Sequence, residues 1–226
     1  MTVSKTCAVM YAWLPLIVQG TVMTVVVSCC ALLIGLCFGV IFGIGNCNRL
    51  KHVAWNWFIN FYVVVIRGTP VYVQVLIVYY ALPDVTGINL NALEAGVIAL
   101  GCNSIAYVTE IVRGGINTVP GGQWDAAYVL GYSQIKTLAL VILPQTLKNI
   151  LPALINEVTA LLKESSILSA IGLLEVMRVA INISEKTLDP MSVYLGIALI
   201  YLGLTTSISL VAKKIEKMLE VGHDYH

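Results

Sequence analysis

Three ionisable residues, Arg67, Lys163 and Glu164, interrupt stretches of otherwise apolar sequence. A charged side chain inside a membrane is energetically costly, so each is a candidate functional residue. At about 1.5 Å per residue, Arg67 lies roughly 20 Å along its apolar stretch, and Lys163 and Glu164 lie roughly 25 Å along theirs. Charges at such depths either form structural ion pairs or line a polar cavity that binds a solute.

The sequence contains no group of residues with the spacing needed for catalysis or metal binding. It has no G-x4-G-K-[ST] phosphate-binding loop, so we expect that this chain alone does not hydrolyse ATP. No histidine lies in an apolar stretch, and no two cysteines form a C-x-x-C pair. We therefore predict no catalytic residue, no metal site and no cofactor in this chain, and interpret the cysteines as small reduced apolar residues: Cys7, Cys29, Cys30, Cys37, Cys47 and Cys102.

The overall composition indicates an integral membrane protein. The hydrophobic fraction is 58%, charged residues make up 11%, and the mean hydropathy is +0.88. A soluble domain carries roughly 25% charged residues, so this chain has too few to cover a water-exposed surface. The net charge of +1 argues against a nucleic-acid partner, because phosphates require a basic excess.

Five stretches approach or exceed the roughly 20 apolar residues that a membrane-spanning helix needs. We predict an all-α integral membrane protein with a single domain over residues 1–226. The first stretch is far too long for the apolar region of a signal peptide, so we expect it to be retained. The predicted spans cover residues 14–45, 53–82, 93–112, 147–166 and 191–212.

The distribution of Lys and Arg predicts the orientation of these spans. With the N-terminus outside, the inner segments carry eight basic residues: Arg49, Lys51, Arg113, Lys136, Lys148, Lys213, Lys214 and Lys217. The outer segments then carry three, namely Lys5, Arg178 and Lys186. This asymmetry favours an outside N-terminus and a cytoplasmic C-terminus, as an odd number of spans requires.

The inner segment 118–144 contains a motif that is specific to one family. A turn cluster at residues 118–122 precedes a segment with a helical pattern from Gln123 onward. The segment reads D-A-A-Y-V-L-G from Asp125 to Gly131, and after nine intervening residues comes V-I-L-P, from Val141 to Pro144. This resembles the E-A-A-x3-G-x9-I-x-L-P signature of ABC importer permeases. Asp125 replaces the usual Glu and Val141 replaces the frequent Ile.

In that family the segment forms the coupling helix, which docks into a groove of the ATPase subunit. The resemblance implies this role for Asp125, Ala126, Ala127, Gly131, Val141, Leu143 and Pro144. Small alanines allow close packing in a groove, and Gly131 allows a sharp turn. Asp125 is a candidate helix cap or ion-pair partner, and Pro144 is expected at the entry to the fourth span.

Two further motifs resemble the polar amino-acid permeases within this family. Arg67-Gly68-Thr69-Pro70 with Gln74 is similar to R-G-T-P-x-x-x-Q, and residues 163–167, K-E-S-S-I, are similar to K-[DN]-[ST]-S-L. The resemblance implies a type I ABC importer transmembrane domain in the cell (inner) membrane. It also implies partners: two ATPase subunits that bind ATP and Mg, a second permease subunit in a homo- or heterodimer, and an extracytoplasmic amino-acid-binding protein.

We expect the polar residues in or near the spans to line an outward-opening cavity for a polar or cationic amino acid of the glutamine, arginine or histidine class. Arg67 is a candidate partner for the substrate carboxylate, and Glu164 for an ammonium group. The other candidates are Thr69, Gln74, Asn103, Ser104, Ser165 and Ser166. The alternatives are a structural Arg67–Glu164 ion pair, or a role for Arg67 in capping a helix broken at Gly68–Pro70.

An ion-coupled secondary amino-acid transporter is the principal alternative function. Such folds usually contain internal repeats and broken helices at matched positions. Only the second predicted span here contains an obvious break, at Gly68–Pro70, and five spans do not divide evenly. The sequence therefore favours the ABC importer.

Overall fold

The structure is a computed structural model that describes residues 2–49 and 53–220, with side chains for 5–49 and 53–216. Lys51, His52, His223 and His226 lie outside the described backbone, and the Lys217 side chain lies outside the described side chains. The described part of the chain is helical and contains no strand. Its α-helices are α1 Thr2–Ala12, α2 Leu14–Gly45, α3 Val53–Arg67, α4 Val71–Leu76, α5 Leu82–Thr86, α6 Ala92–Thr118, α7 Gly121–Val129, α8 Gln134–Thr137, α9 Leu143–Glu164, α10 Val176–Thr187 and α11 Pro190–Glu220.

Four helical stretches are long and apolar enough to cross a membrane, and a bent pair of helices provides a fifth. The four are Leu14–Gly45, Ala92–Thr118, Gln134–Ile171 and Pro190–Glu216, and the bent pair is Val53–Arg67 with Val71–Thr86. The all-α prediction and the number of candidate spans are thus confirmed. The second predicted span, 53–82, is not one straight helix, because Gly68 and Pro70 interrupt it after Arg67.

The helix of the fourth span is longer than predicted. The helical stretch that contains it begins at Gln134 and continues to Ile171, so Pro144 lies inside a continuous helical stretch and not at its first turn. A π-helical turn over Leu138–Ile142 precedes this proline, and a second π-helical turn over Ile77–Ala81 precedes Pro83 at the same spacing. Because proline has no N–H to donate and crowds the preceding turn, each wider turn accommodates a proline without ending the helix.

The chain divides into two compact units, and neither is a contiguous segment. The first unit comprises the N-terminal part to Leu33, Thr69–Cys102 and Val158–Ser209. One of its apolar cores joins α2, α4, α6 and α9 through fully or nearly fully buried side chains, which include Val27, Val75, Ala99, Leu161 and Leu168. A second core joins α2 to α10 and α11 around Ile17, Val179, Ile183, Val193 and Ile197.

The second unit comprises Ile34–Gly68, Asn103–Glu157 and the chain from Leu210 onward. In this unit α2 presents glycines at every fourth residue, and this glycine stripe, Gly35, Gly39 and Gly43, packs directly on α6. A Cβ atom on Gly39 would lie 2.7 Å from the Val108 Cβ, and one on Gly43 would lie 2.6 Å from the Val112 Cβ. Small residues at this spacing allow two helix backbones in a membrane to approach closely.

Two helices outside the spans were not predicted. They are α1, at the N-terminus, and α10, between the fourth and fifth spans. The start of α10 is fixed by Glu175, whose carboxylate accepts hydrogen bonds from the backbone N–H groups of Met177 and Arg178, both at 2.7 Å. Glutamate is not among the usual N-cap residues, so this helix start has little local signature.

Candidate transport pathway and coupling segment

The R-G-T-P-x-x-x-Q motif builds the break between α3 and α4. Pro70 occupies the N-cap position of α4 with an extended backbone. The Gln74 side chain, one turn into α4, donates from Nε2 to the Thr69 hydroxyl at 2.9 Å and to the Thr69 carbonyl at 3.2 Å. The predicted pathway residues Thr69 and Gln74 therefore bond to each other and stabilise the chain at the break.

A polar cavity of about 640 Å³ lies in the second unit. We call it the asparagine–arginine cavity. One face of α3 contributes Asn56, Asn60, Val63, Val64, Arg67 and Gly68, and α6 contributes Tyr107, Glu110 and Arg113, while Asn46 and Asn48 follow the end of α2. Arg67 is thus the predicted pathway residue that lines this cavity.

The charges in this cavity form a triad. Arg113 binds Glu110 through two hydrogen bonds of 2.8 Å, from Nε and Nη2. The two residues lie about one helical turn apart, so this is an intrahelical pair of the kind that such spacing favours. Arg67 approaches Glu110 through Nη1 at 3.6 Å, and its guanidinium carbon lies 5.0 Å from the centre of the Tyr107 ring. Two guanidinium groups around one carboxylate leave the triad with one net positive charge.

Ser104 and Asn103, the predicted pathway residues of α6, are buried. Ser104 is fully buried and its hydroxyl donates to the Glu157 Oε1 at 2.8 Å. Glu157 is itself 7% exposed. Ser104 therefore orients a buried carboxylate in this conformation of the protein.

The remaining predicted pathway residues, Glu164, Ser165 and Ser166, lie at the end of α9 and directly after it, in the first unit. The helix narrows to a 3₁₀ geometry over Ser165–Ile171. The Ser165 hydroxyl donates to the Leu162 carbonyl at 2.8 Å and the Ser166 hydroxyl donates to the Lys163 carbonyl at 2.6 Å. Glu164, the last residue of α9, is half-buried. The structure thus places Thr69, Gln74, Glu164, Ser165 and Ser166 in one unit and Arg67, Asn103 and Ser104 in the other.

The short helix α7 carries most of the predicted coupling residues and belongs to the second unit. Within α7 the side chains of Trp124 and Ala127 are buried, whereas that of Ala126 is exposed. Asp125 lies in the middle of the helix and pairs with Arg49 at 3.4 Å. The ion-pair alternative for Asp125 is confirmed and the cap alternative is wrong, because α7 begins at Gly121, two residues earlier than predicted.

Gly131 ends this helical segment with a backbone φ of +78°. Residues with a side chain rarely adopt this left-handed backbone conformation, whereas glycine does so readily. The predicted sharp turn at Gly131 is thus confirmed. Around the turn three large apolar side chains are exposed: Val129 is 88% exposed, Leu130 is 74% exposed and Ile135 is 79% exposed. Of the residues predicted downstream, Val141 lies in the π-helical turn and Leu143 and Pro144 begin α9.

Glu175 is a buried carboxyl group that the sequence analysis did not single out. It lies between the fourth and fifth spans and accepts a hydrogen bond from the Tyr201 hydroxyl at 3.2 Å. Burial raises the pKa of Glu175 from 4.5 to about 7, although the hydrogen bonds that it accepts oppose this shift. This group is therefore partly protonated near neutral pH.

The raised pKa of Glu175 predicts a specific dependence of stability on pH. Because the folded state binds this proton more tightly than the unfolded state, stability falls as pH rises from about 4.5 to about 7, and this effect levels off above. We expect the melting temperature of the wild type, relative to that of Glu175→Gln, to decrease over this interval. Glu185→Gln, a change at an exposed site on α10, should leave the wild-type dependence intact. An unchanged slope in Glu175→Gln would contradict the assignment.

Comparisons with known proteins identify the family. Residues 35–221 match the family described as binding-protein-dependent transport system inner membrane component. The chain is 41% identical to the putative glutamine transport system permease protein GlnP of Rickettsia conorii, over 91% of this chain and 94% of that protein. It is 37% identical to the arginine transport system permease protein ArtQ of Bacillus subtilis, over 92% and 94% of the two chains.

Solved structures agree with this relationship. A crystal structure described as an amino acid ABC transporter with histidines matches with a TM-score of 0.85 and 38% identity, over 92% of this chain and 96% of that chain. The MetNI methionine ABC transporter in an inward-facing conformation matches with a TM-score of 0.77 at 15% identity, which supports the fold alone. The chain therefore belongs to the family of inner membrane components of binding-protein-dependent transport systems.

Proposed function

We propose that this chain is the membrane-spanning permease subunit of an ATP-driven ABC importer for a polar or cationic amino acid of the glutamine, arginine or histidine class. The observation that carries the proposal is the identity of 37–41% to glutamine and arginine permeases over more than 90% of each chain. The same observation favours the importer over an ion-coupled secondary transporter.

In this proposal the chain acts as one transmembrane domain of the cell (inner) membrane, with its N-terminus outside and its C-terminus in the cytoplasm. Both compact units are assembled from three separated segments of the chain, which supports a single functional domain. Its partners are two ATPase subunits that hold ATP and Mg, a second permease subunit and an extracytoplasmic binding protein. The exposed apolar side chains around Gly131 support α7 as the ATPase docking site.

We further propose that the eight predicted pathway residues line or shape the route of the substrate. Arg67 has the strongest structural support, because it lines the asparagine–arginine cavity. Thr69 and Gln74 contribute indirectly, by fixing the break that ends α3. Asn103, Ser104, Glu164, Ser165 and Ser166 are assigned to the pathway on the motif and on their place in the spans.

Uptake by the whole transporter tests the proposed function. The chain is co-expressed with an ATPase and an amino-acid-binding protein from the same organism, and uptake of labelled glutamine, arginine and histidine into membrane vesicles is measured. We expect uptake that requires ATP and the binding protein, and co-purification of the ATPase with the tagged permease. Uptake that follows an ion gradient without ATP would contradict the proposal.

A further inference from the structure

A buried polar network in the first unit joins four helical elements around Glu175, the N-cap residue of α10. The Glu175 side chain is fully buried, and its carboxylate accepts the Tyr201 hydroxyl of α11 at 3.2 Å. The Thr24 side chain of α2 is a further hydrogen-bond partner of this carboxylate. The Tyr201 hydroxyl in turn has a partner in Ser165, at the end of the fourth span. We call Thr24, Ser165, Glu175 and Tyr201 the Glu175 network.

The start of α10 does not need the tyrosine of this network. A helix begins with four backbone N–H groups that have no partner within the helix. Here each of the four has an acceptor, which is a neighbouring carbonyl, the Thr24 hydroxyl or the Glu175 carboxylate. These N–H groups belong to Glu175, Val176, Met177 and Arg178. Tyr201 takes part in none of these bonds, so its contact with Glu175 is not required for the cap.

The other partner of the tyrosine begins the 3₁₀ segment, Ser165–Ile171, which carries the S-S-I part of the K-E-S-S-I motif. Hydrogen bonds in a 3₁₀ helix have poorer geometry than those in an α-helix, so such a segment depends more on its surroundings. Its apolar side packs on α6, where a Cβ atom on Gly96 would lie 2.7 Å from the Leu168 Cδ1. The same core contains Val75 of α4. Its polar side is held at the fully buried Ser165 by Tyr201.

We propose that Tyr201 and Glu175 are positioning residues of the transport pathway: Glu175 holds the Tyr201 hydroxyl, and Tyr201 holds the start of the 3₁₀ segment. This role rests on the proposed function, in which Glu164, Ser165 and Ser166 belong to the route of the substrate. Neither positioning residue needs to touch the substrate. Without their link the segment is anchored by its apolar side alone, so a smaller fraction of the permease has the arrangement that passes the substrate on.

Removal of one hydroxyl group tests this role. In the complete transporter, Tyr201→Phe keeps the ring and removes the link between Glu175 and Ser165. We expect the maximal rate of amino-acid uptake per folded permease molecule to fall at least about threefold, the loss expected for one hydrogen bond. The half-saturating concentration should not change, because the binding protein captures the substrate in the proposed function. Tyr194→Phe, which removes an exposed hydroxyl group from the same helix, should not change uptake.

Glu175→Asp separates the cap of α10 from the positioning role. Aspartate is a preferred N-cap residue, so α10 should begin normally, but the shorter side chain should not reach Tyr201. Uptake per folded molecule should fall by a factor similar to that of Tyr201→Phe. The double variant should be no slower than the slower single variant, since both changes break one link. Losses that multiply in the double variant would overturn the proposal, because the two residues would then act independently.

Cysteine labelling measures the position of the 3₁₀ segment without relying on transport. Ser166→Cys, at a partly exposed site, is treated with N-ethylmaleimide in the complete transporter, and mass spectrometry measures modification of the peptide that contains residue 166. Adding Tyr201→Phe should speed this modification at least about threefold. Val85→Cys, an 86% exposed site on α5, should react at the same rate with and without Tyr201→Phe.

The two measurements separate a failure of the positioning role from a failure of the proposed function. If the unmodified transporter shows no ATP-dependent uptake of an amino acid, the proposed function fails, and labelling still decides whether Tyr201 positions the segment. Normal uptake per folded molecule by Tyr201→Phe would overturn the positioning role and assign the network to stability alone. An unchanged labelling rate at residue 166 would overturn it as well. Slower uptake together with faster labelling supports the proposal.

Discussion

A Gly43→Leu substitution is expected to remove the folded permease from the membrane. The Cβ atom alone would lie 2.6 Å from the Val112 Cβ and 2.8 Å from the Thr109 carbonyl oxygen, and a backbone oxygen cannot move aside as a flexible side chain can. Overpacking costs about 1–3 kcal/mol for small additions, and a leucine adds three further carbon atoms. Gly43→Ala should therefore show a lower melting temperature in detergent, and Gly43→Leu should not yield a monodisperse protein.

Gly114 on α6 provides the matched control for this prediction. No heavy atom lies within 4 Å of a Cβ atom built on Gly114. Gly114→Ala should then keep or slightly raise the melting temperature, because alanine favours a helix by roughly 1 kcal/mol over glycine. Equal melting temperatures for Gly43→Ala and Gly114→Ala would show that α2 and α6 are not closely packed at the glycine stripe.

A Val129→Asp substitution is expected to uncouple the transporter while the permease still folds. Val129 is 88% exposed on α7, so the change removes no internal packing. If α7 docks into an ATPase groove, the new carboxylate is buried there without a partner, which costs several kcal/mol. We expect amino-acid uptake to fall at least about tenfold and co-purification of the ATPase with the permease to weaken.

Val85→Asp introduces the same charge at a site that is 86% exposed on α5, in the first unit, whereas the coupling segment belongs to the second. Its ATPase retention and its level in the membrane should match those of the unmodified protein. Normal uptake and normal ATPase retention by Val129→Asp would exclude α7 as the docking element, since the charge would then stay in water.

Features encoded by local patterns could be predicted from the sequence. The lengths of the apolar stretches predicted the spans, because a helix that crosses the hydrocarbon core needs about 20 consecutive, mostly apolar residues. The Gly131 turn and the Glu110–Arg113 pair depend on residues close together in the chain, so their motifs sufficed. The break after Arg67 was also visible in its glycine and proline, although the bonds from Gln74 to Thr69 were not.

Features that depend on packing between distant segments were missed. The approach of Arg67 to Glu110 joins α3 to α6, and no local pattern relates the two residues. The asparagines of α3 did carry a signal, since Asn56, Asn60 and Arg67 share one helical face, but the two asparagines were not among the predicted pathway residues. The glycine stripe was likewise visible as a four-residue spacing. By contrast, the buried Glu175 depends on the tertiary contact with Tyr201.

The π-helical turn before Pro144 has a consequence for the changes of length that this helix can absorb. A π-helical turn contains about one residue more than an α-helical turn but completes the same rotation. Deleting one residue between Leu138 and Ile142 is therefore expected to leave α8 and α9 facing nearly the same directions as before. A deletion in the regular part of α9 would instead rotate the chain beyond it by about 100°. The π-helical turn is thus a position at which this helix can lose a residue and keep the orientation of its two ends.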